Sequence, residues 1–258
     1  MVPKKSATHD DGTARFFRLA PSDVRASGFF GGASRIQVIV KLANIHLTPE
    51  RPTYDGGSWH VEGQLNEHIC ATALFYYDSD NITDSRLGLR TPANAEDLSA
   101  ELNYEQNDSL SVSRTFALDA GAYGSTLQDV GAVLTRPGRA LFFPNLFQHR
   151  VQPFSLADAA RPGHRKILAL FLVDPAVPVI STANVPPQQR HWWAGDEHVR
   201  RGGRLPPELA EMVLRNVDYV VDGDEARAIR EELMAERTVL QGRTTGRLEE
   251  VLFSFCEH

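Results

Sequence analysis

Seven candidate strand segments, most of them apolar and separated by turn residues, are the feature that most limits how this chain can fold. Most of them are rich in branched or aromatic residues, and Pro, Gly, Asn or Asp lie in the connections. The segments lie at 36–47, 69–77, 85–90, 129–135, 140–143, 149–151 and 166–173. Many short strands punctuated by turns are typical of a β-sandwich or barrel rather than of an alternating βα fold. We therefore predict a mainly β protein.

The sequence changes in character on both sides of this strand-rich region. Residues 1–35 are predicted to form an irregular lead-in, and residues 36–187 a core that contains the strands. A polar stretch at 91–125 interrupts the core and predicts a long excursion. A helical extension that packs on the core is predicted at 188–258, because apolar residues there recur at helical spacing. Helices are predicted at 206–217, 224–237 and 247–255.

Charge and cysteine content limit the partners and the compartment. Lys and Arg number 27 against 33 Asp and Glu, and the net charge of -6 provides no basic surface for nucleic acid or acidic membranes. Two cysteines are too few for a disulfide framework, so a reducing compartment is expected. The N-terminal residues lack the apolar segment of a signal peptide, and no apolar run is long enough to cross a bilayer. We expect a cytoplasmic protein that binds a small molecule, and neither nucleic acid nor a membrane.

A His-x-Glu motif within Trp59–Gly63 follows a Gly-containing loop and precedes a predicted strand. Because His60 and Glu62 are two residues apart, extended backbone would point both side chains to one side, where they could share a metal ion. The motif alone is weak, since about one match is expected by chance in a chain of this composition. His9-Asp10-Asp11 also fits it. An exposed loop pair without a ligand is therefore the alternative.

A second histidine, His149, lies between two predicted strands far from the first motif in sequence. Two imidazoles and one carboxylate on one side of a metal ion leave the opposite side open for a co-substrate and oxygen. This donor set is typical of non-haem ferrous centres. We therefore predict that His60, Glu62 and His149 are the ligands of an iron site.

Three stretches together carry a resemblance to a known superfamily: Trp59–Gly63, Phe142–Val151 and Arg161–Lys166. They resemble the Fe(II)/2-oxoglutarate-dependent dioxygenases, and look most like a fungal and bacterial branch described only as a domain of unknown function. The resemblance spans residues 36–187 and implies a double-stranded β-helix, the jelly-roll or cupin-like barrel of that superfamily. It also implies Fe(II), 2-oxoglutarate and O2 as cofactor and co-substrates, with iron bound by the three predicted ligands.

The resemblance gives Arg165 the role of binding the distal carboxylate of 2-oxoglutarate. Arginine suits this role because a planar guanidinium binds a carboxylate through two hydrogen bonds. Lys166, Arg161 and His164 are alternatives, but Lys166 is expected on the opposite face of the strand and Arg161 lies earlier in a Pro-Gly loop. The resemblance also implies a co-substrate contact from Tyr76, for which the alternative is a core tyrosine bonded to backbone.

The resemblance implies an oxidoreductase that oxidises a C–H bond of a small substrate and releases succinate and carbon dioxide from 2-oxoglutarate. Glu62 stands where many members have aspartate. Glutamate resembles the members that act on amino acids, so the substrate is expected to be amino-acid-like. Two alternatives stay open: a hydroxylase of protein or peptide side chains, and a non-catalytic cupin-like metal-binding protein.

Overall fold

The computed structural model describes residues 30–94, 124–195, 206–218 and 220–252, together with the single residues 22, 28, 110, 113, 116 and 118. Most of the predicted lead-in at 1–35 and of the predicted excursion at 91–125 lies outside these residues. The chain divides into two compact units, one of Met1–Val177 with Gln241–His258 and one of Pro178–Leu240. The boundary predicted after residue 187, and the packing of a helical extension on the core, stay predictions.

Nine strands occur among the described residues of the first unit, and every segment that predicted a strand overlaps one. In chain order they are β1 (Val38–Leu47), β2 (Thr53–Tyr54), β3 (Ile69–Asp80), β4 (Arg86–Pro92), β5 (Leu127–Leu134), β6 (Arg139–Pro144), β7 (Gln148–Val151), β8 (Phe154–Ser155) and β9 (Gly163–Val173). The two-residue strands β2 and β8 are absent from the prediction because so short a segment shows no alternation. The prediction of a mainly β protein is confirmed.

The strands form three antiparallel sheets. The largest has the order β1-β9-β3-β6, the second has the order β5-β4-β7, and β2 pairs with β8. No closed barrel is found among the strands that the structure describes. Because β9 lies between β1 and β3, residues from the two ends of the predicted core become neighbours in one sheet.

The main core lies between the four-stranded and the three-stranded sheets. Alternation along β3 points Thr72, Leu74 and Tyr76 to the same face, and these side chains are at most 5% exposed. Leu74 and Tyr76 pack with apolar side chains of β4, β6 and β9, namely Leu87, Phe143, Ala169 and Phe171. The charged side chain of Arg165 enters this interior from β9, where it lies against Tyr76.

The opposite face of the four-stranded sheet is also apolar. Three successive rows across its strands contain only apolar residues: Val38, Leu172, Ala71 and Pro144; Val40, Leu170, Ala73 and Phe142; Leu42, Leu168, Phe75 and Ala140. Residues paired directly across strands share a face. Leu42 is 67% exposed and Phe142 is 78% exposed, so burial identifies the core face of this sheet and the apolar pattern alone does not.

The described α-helices are α1 (Arg190–Gly195), α2 (Pro207–Arg215) and α3 (Gly223–Glu250). The helix predicted at 206–217 is confirmed by α2. The prediction of separate helices at 224–237 and 247–255 is wrong, because α3 is continuous through Gly242 and Gly246. A glycine inside a helix costs only about 1 kcal/mol relative to alanine, which two favourable flanking segments outweigh. None of the helices in the described part of the chain is long and apolar enough to cross a membrane.

Leu87→Ala should destabilise the fold, because this side chain is 1% exposed in the core between the sheets. Truncation of a buried leucine costs about 2–5 kcal/mol, which lowers the midpoint of urea unfolding. The matched control is Leu42→Ala on the opposite face of the four-stranded sheet, where a surface position predicts a change within about 0.5 kcal/mol. Equal losses in the two variants would contradict the assignment of the core face.

Candidate metal centre

His60 and His149 lie directly opposite each other in an antiparallel β-bridge. The His60 N–H donates to the His149 carbonyl at 3.2 Å, and the His149 N–H donates to the His60 carbonyl at 2.9 Å. Residues paired in this way point their side chains to the same face. The backbone therefore brings the two imidazoles together, with ring centroids 4.4 Å apart.

Asn145, in the turn between β6 and β7, holds Glu62 beside the histidines. The Glu62 N–H donates to Asn145 Oδ1 at 2.9 Å, and Asn145 Nδ2 donates to the Glu62 carbonyl at 2.9 Å. The same Nδ2 donates to the Ile69 carbonyl at 3.0 Å, at the start of β3. The amide thus fixes the backbone on both sides of the Glu62 carboxylate. Asn145 in the turn and His149 in β7 are close in sequence. One short segment therefore positions both Glu62 and His149.

The side chains of His60, Glu62 and His149 could hold a metal ion, since their donor atoms all lie within 4.8 Å of one another. Glu62 Oε1 is 3.6 Å from His60 Nε2 and 3.2 Å from His149 Nε2. Two donors about 2.1 Å from one metal ion and at right angles lie about 3.0 Å apart, so these spacings suit neighbouring ligands on one side of an ion. No other group of three His, Cys, Asp or Glu side chains in the described part of the chain is arranged in this way.

The two imidazoles are oriented by different contacts. His60 Nδ1 is 2.9 Å from the Ser58 carbonyl, and donation to that carbonyl leaves the Nε2 lone pair for a metal ion. The ring of His149 packs against the ring of Phe143 edge to face, with centroids 5.0 Å apart. Its buried Nδ1 has no hydrogen-bond partner among the residues that the structure describes. The orientation of His149 therefore depends on packing and on its contact with Glu62.

Burial and the interactions among the three side chains shift the pKa values of Glu62 and His60 in opposite directions. Burial raises the pKa of Glu62, but contacts with His149 and His60 outweigh burial and leave this pKa well below the usual glutamate range. Burial lowers the pKa of His60, but Glu62 and the Ser58 carbonyl outweigh burial and leave this pKa above the ordinary histidine value. Glu62 is therefore ionised at neutral pH, as a carboxylate ligand must be.

Arg165 and Tyr76 lie against each other in the interior, with the guanidinium carbon 4.9 Å from the centroid of the tyrosine ring. Arg165 is 2% exposed and Tyr76 is 0% exposed. Within the described residues, Nε and Nη2 of Arg165 and the hydroxyl of Tyr76 have no hydrogen-bond partner. Burial lowers the pKa of Arg165 and raises the pKa of Tyr76, and the direct interaction between the two side chains, through charge and polar contact, opposes both shifts.

Three more hydroxyls, those of Thr72, Ser79 and Ser85, are buried without a hydrogen-bond partner in the part of the chain described here. Ser79 lies directly opposite Arg165 in the pairing of β3 with β9. A register shift between Tyr76 and Asp78 reverses the alternation of β3, so that both Tyr76 and Ser79 point inward. The guanidinium of Arg165 and the hydroxyls of Tyr76 and Ser79 thus lie at one end of the β3–β9 pairing, a combination of donors that suits a carboxylate, whereas Thr72 pairs with Phe171 further along β9.

The three alternatives to Arg165 do not share its burial. Lys166 and His164 both contact the carboxylate of Asp78, at 2.7 and 2.8 Å, on the face of the sheet opposite Arg165. The side chain of Arg161 is 62% exposed and precedes the strand. Of these four basic residues only Arg165 is buried, and its role in binding a co-substrate stays a prediction.

Sequence-based reasoning gives no role to Asn145, Thr72 or Ser79. Asn145 carries a partial signal, because an Asn after a Pro between two strands indicates a turn whose side chain can bond to backbone. Its actual partner, Glu62, is distant in sequence. Ser79 carries no such signal, because strict alternation from Tyr76 points it outward.

His149→Ala should abolish stoichiometric binding of a divalent metal ion, because it removes one of three donors. The dissociation constant for Co2+ should rise by more than the roughly 100-fold that loss of an outer-shell partner can cost. Calorimetric titration of metal-free protein measures this change. His164→Ala is the matched control, because that histidine contacts Asp78 and not the cluster. Unchanged affinity of the His149→Ala protein for Co2+ would refute the ligand assignment.

The similar solved structures are distant. A bsmA homologue from Methylobium petroleophilum PM1 is 15% identical with a TM-score of 0.30, and the match covers 65% of this chain but only 59% of the length of that one. A putative mannose-6-phosphate isomerase from Ralstonia eutropha JMP134 is 15% identical with a TM-score of 0.20, covering 55% and 88% of the two chains. A chain from disulfide-linked pili that form Bacillus endospore appendages is 9% identical with a TM-score of 0.21, covering 54% and 92%. At these scores no conclusion about fold or function follows.

No curated protein matches the chain. One family pattern matches residues 3–196, which is most of the chain, and its description is "Protein of unknown function (DUF4246)". The matched stretch includes the three candidate metal ligands as well as Tyr76 and Arg165. The chain therefore belongs to the DUF4246 family of proteins of unknown function.

Proposed function

We propose that the protein is a non-haem Fe(II)/2-oxoglutarate-dependent oxygenase that oxidises a C–H bond of a small substrate. Three features support this function: a cluster that could hold a metal ion, a buried arginine with unsatisfied donors, and antiparallel sheets around both. The buried arginine carries the proposal, because two imidazoles and a carboxylate alone suit several metals.

A guanidinium that lacks a carboxylate or carbonyl partner is costly to bury. A buried donor without a hydrogen bond costs about 1–3 kcal/mol, and more when it is charged. A carboxylate bound in fork geometry would satisfy Nε and Nη2 of Arg165 together, the two atoms that lack partners among the described residues. The distal carboxylate of 2-oxoglutarate has this chemistry, and the hydroxyls of Tyr76 and Ser79 would donate to it as well.

The metal cluster and the arginine each contact a residue of the main core cluster. Phe143 and Tyr76 belong to the same core cluster, and Phe143 contacts His149 while Tyr76 contacts Arg165. A ligand that binds a metal ion with one end and Arg165 with the other needs this arrangement. In the proposed double-stranded β-helix, the four-stranded and three-stranded sheets are the two halves that enclose the ligand.

The residues of this chain would bind, orient and shield the reacting groups. His60, Glu62 and His149 would hold Fe(II) from one side, and Arg165 would fix the distal end of the co-substrate. When bound, iron and 2-oxoglutarate supply the oxidising power, with O2 consumed and succinate and carbon dioxide released. Phe143, which packs against His149 in the core, would keep water away from the metal.

A glutamate at position 62, where many members of the resembled superfamily have aspartate, supports an amino-acid-like substrate. Oxidation of a protein side chain is the second possibility for the same chemistry. Metal binding without turnover is the third, and it belongs to a different functional class. Each of these three functions predicts a different result when co-substrate and candidate substrates are added to the protein.

Anaerobic addition of Fe2+ and 2-oxoglutarate to metal-free protein should produce a visible metal-to-ligand charge-transfer band. Admission of O2 should then produce succinate, and free amino acids should accelerate succinate formation more than peptides do. Acceleration by peptides alone would favour the side-chain hydroxylase. Fe2+ binding with neither the band nor succinate would contradict both enzymatic functions and leave a metal-binding protein.

Arg165→Met should weaken 2-oxoglutarate binding by about 10–100-fold, the value of a charged hydrogen-bonded pair, without changing the affinity for Fe2+. The metal-free variant should lose no thermal stability, because methionine removes an unsatisfied buried charge while retaining volume. The matched control is Arg161→Met, since that side chain is 62% exposed. Equal effects of the two substitutions on co-substrate affinity would contradict the role of Arg165.

A further inference from the structure

The C-terminal part of α3 contacts the residues that immediately precede both histidines. This part of the helix, from residue 241, belongs to the same compact unit as the strands. Thr245 Oγ1 donates to the Trp59 carbonyl at 3.3 Å, and Gln148 Nε2 donates to Thr245 Oγ1 at 3.2 Å. One hydroxyl therefore bridges the residue before His60 and the residue before His149.

Gln148 is a buried link in a wider set of contacts. It is 1% exposed, and its Oε1 accepts a hydrogen bond from Arg90 Nε at 2.8 Å. The Arg90 guanidinium also donates to Glu249 Oε1 at 2.9 Å and lies over the Trp59 ring, 4.6 Å from its centroid. Both ends of the Gln148 amide are thus satisfied, one by β4 and one by the helix. The helix end is attached at Thr245 and at Glu249, one turn apart.

These contacts involve the residues that precede the two histidines, and not the imidazoles themselves. Successive side chains of a strand point to opposite faces, so Gln148 faces away from the cluster to which His149 contributes. The pairing of His60 with His149 is an isolated bridge and not part of a longer ladder. The Gly57 N–H donates to the Val151 carbonyl at 3.0 Å, and Asn145 binds the Glu62 backbone. Thr245 adds a further connection between the same two segments, at the residues that directly precede the two histidines.

Resting on the proposed function, we infer that Thr245 is a positioning residue of the metal centre. Its hydroxyl fixes the separation of the two histidine-bearing segments, and so the distance between their imidazoles, without touching a metal ligand. The C-terminal end of α3 is thereby part of the machinery that preorganises the site. Outer-shell contacts of this kind are worth about 10–100-fold in metal affinity.

Three variants test this role. Thr245→Val keeps the shape of the side chain and removes the hydroxyl, and Thr245→Ser restores the hydroxyl. Thr244→Val makes the same change at an exposed neighbour on the same helix. In metal-free protein, amide hydrogen exchange at His60 and His149 should be about 5–100-fold faster in Thr245→Val alone, the effect of losing both hydrogen bonds of the hydroxyl.

The dissociation constant for Co2+ should rise by about 10–100-fold in Thr245→Val and stay near the wild-type value in Thr245→Ser and Thr244→Val. If Thr245→Val and Thr244→Val had the same amide hydrogen exchange rates and the same Co2+ affinity, the inference would be overturned. Exchange that rises equally in β9 would also overturn it, because the effect would then be global destabilisation. If the wild-type protein binds no Co2+, the proposed function fails. Amide hydrogen exchange in metal-free protein then tests by itself whether Thr245 holds the two histidine-bearing segments together.

Discussion

The reciprocal pair of backbone hydrogen bonds between His60 and His149 is the constraint on which the candidate site depends. It joins a loop to β7, points two imidazoles to one face, and leaves Glu62 two residues away on the same side. Asn145 fixes the Glu62 backbone from the β6–β7 turn, and Thr245 ties the residues that precede the two histidines. The three donor side chains thus come from segments that are distant in sequence. The contacts that hold these segments together use backbone groups and neighbouring residues, and not the donor atoms.

The rest of the interior departs from an ordinary apolar core in a consistent way. Arg165, Tyr76 and Thr72 are buried and Ser79 is half-buried, and each has a buried polar atom without a hydrogen-bond partner among the described residues. Native interiors pair nearly all such groups, so several together indicate a place where a ligand belongs. Under the proposed function, a dicarboxylate would use Arg165 and the hydroxyls of Tyr76 and Ser79 at one end and the metal cluster at the other.

Sequence patterns predict the strands and the three candidate metal ligands better than the buried faces and the long-range contacts. Apolar runs locate the strands, and the spacing of His60 and Glu62 identifies a shared side without any knowledge of the fold. The four-stranded sheet is apolar on both faces, so alternation cannot tell which one is buried. Ser79 points inward only because of the irregularity in β3, and α3 runs through two glycines that suggest a break. Asn145 and Thr245 act through partners that no local pattern reveals.

Anomalous diffraction at the iron edge, from crystals grown without oxygen with Fe2+ and 2-oxoglutarate, tests the central claim most directly. The expected result is one peak bound by Nε2 of His60, Nε2 of His149 and a carboxylate oxygen of Glu62. The distal carboxylate of 2-oxoglutarate should then lie on Nε and Nη2 of Arg165. An iron peak elsewhere, or 2-oxoglutarate bound away from Arg165, would contradict it.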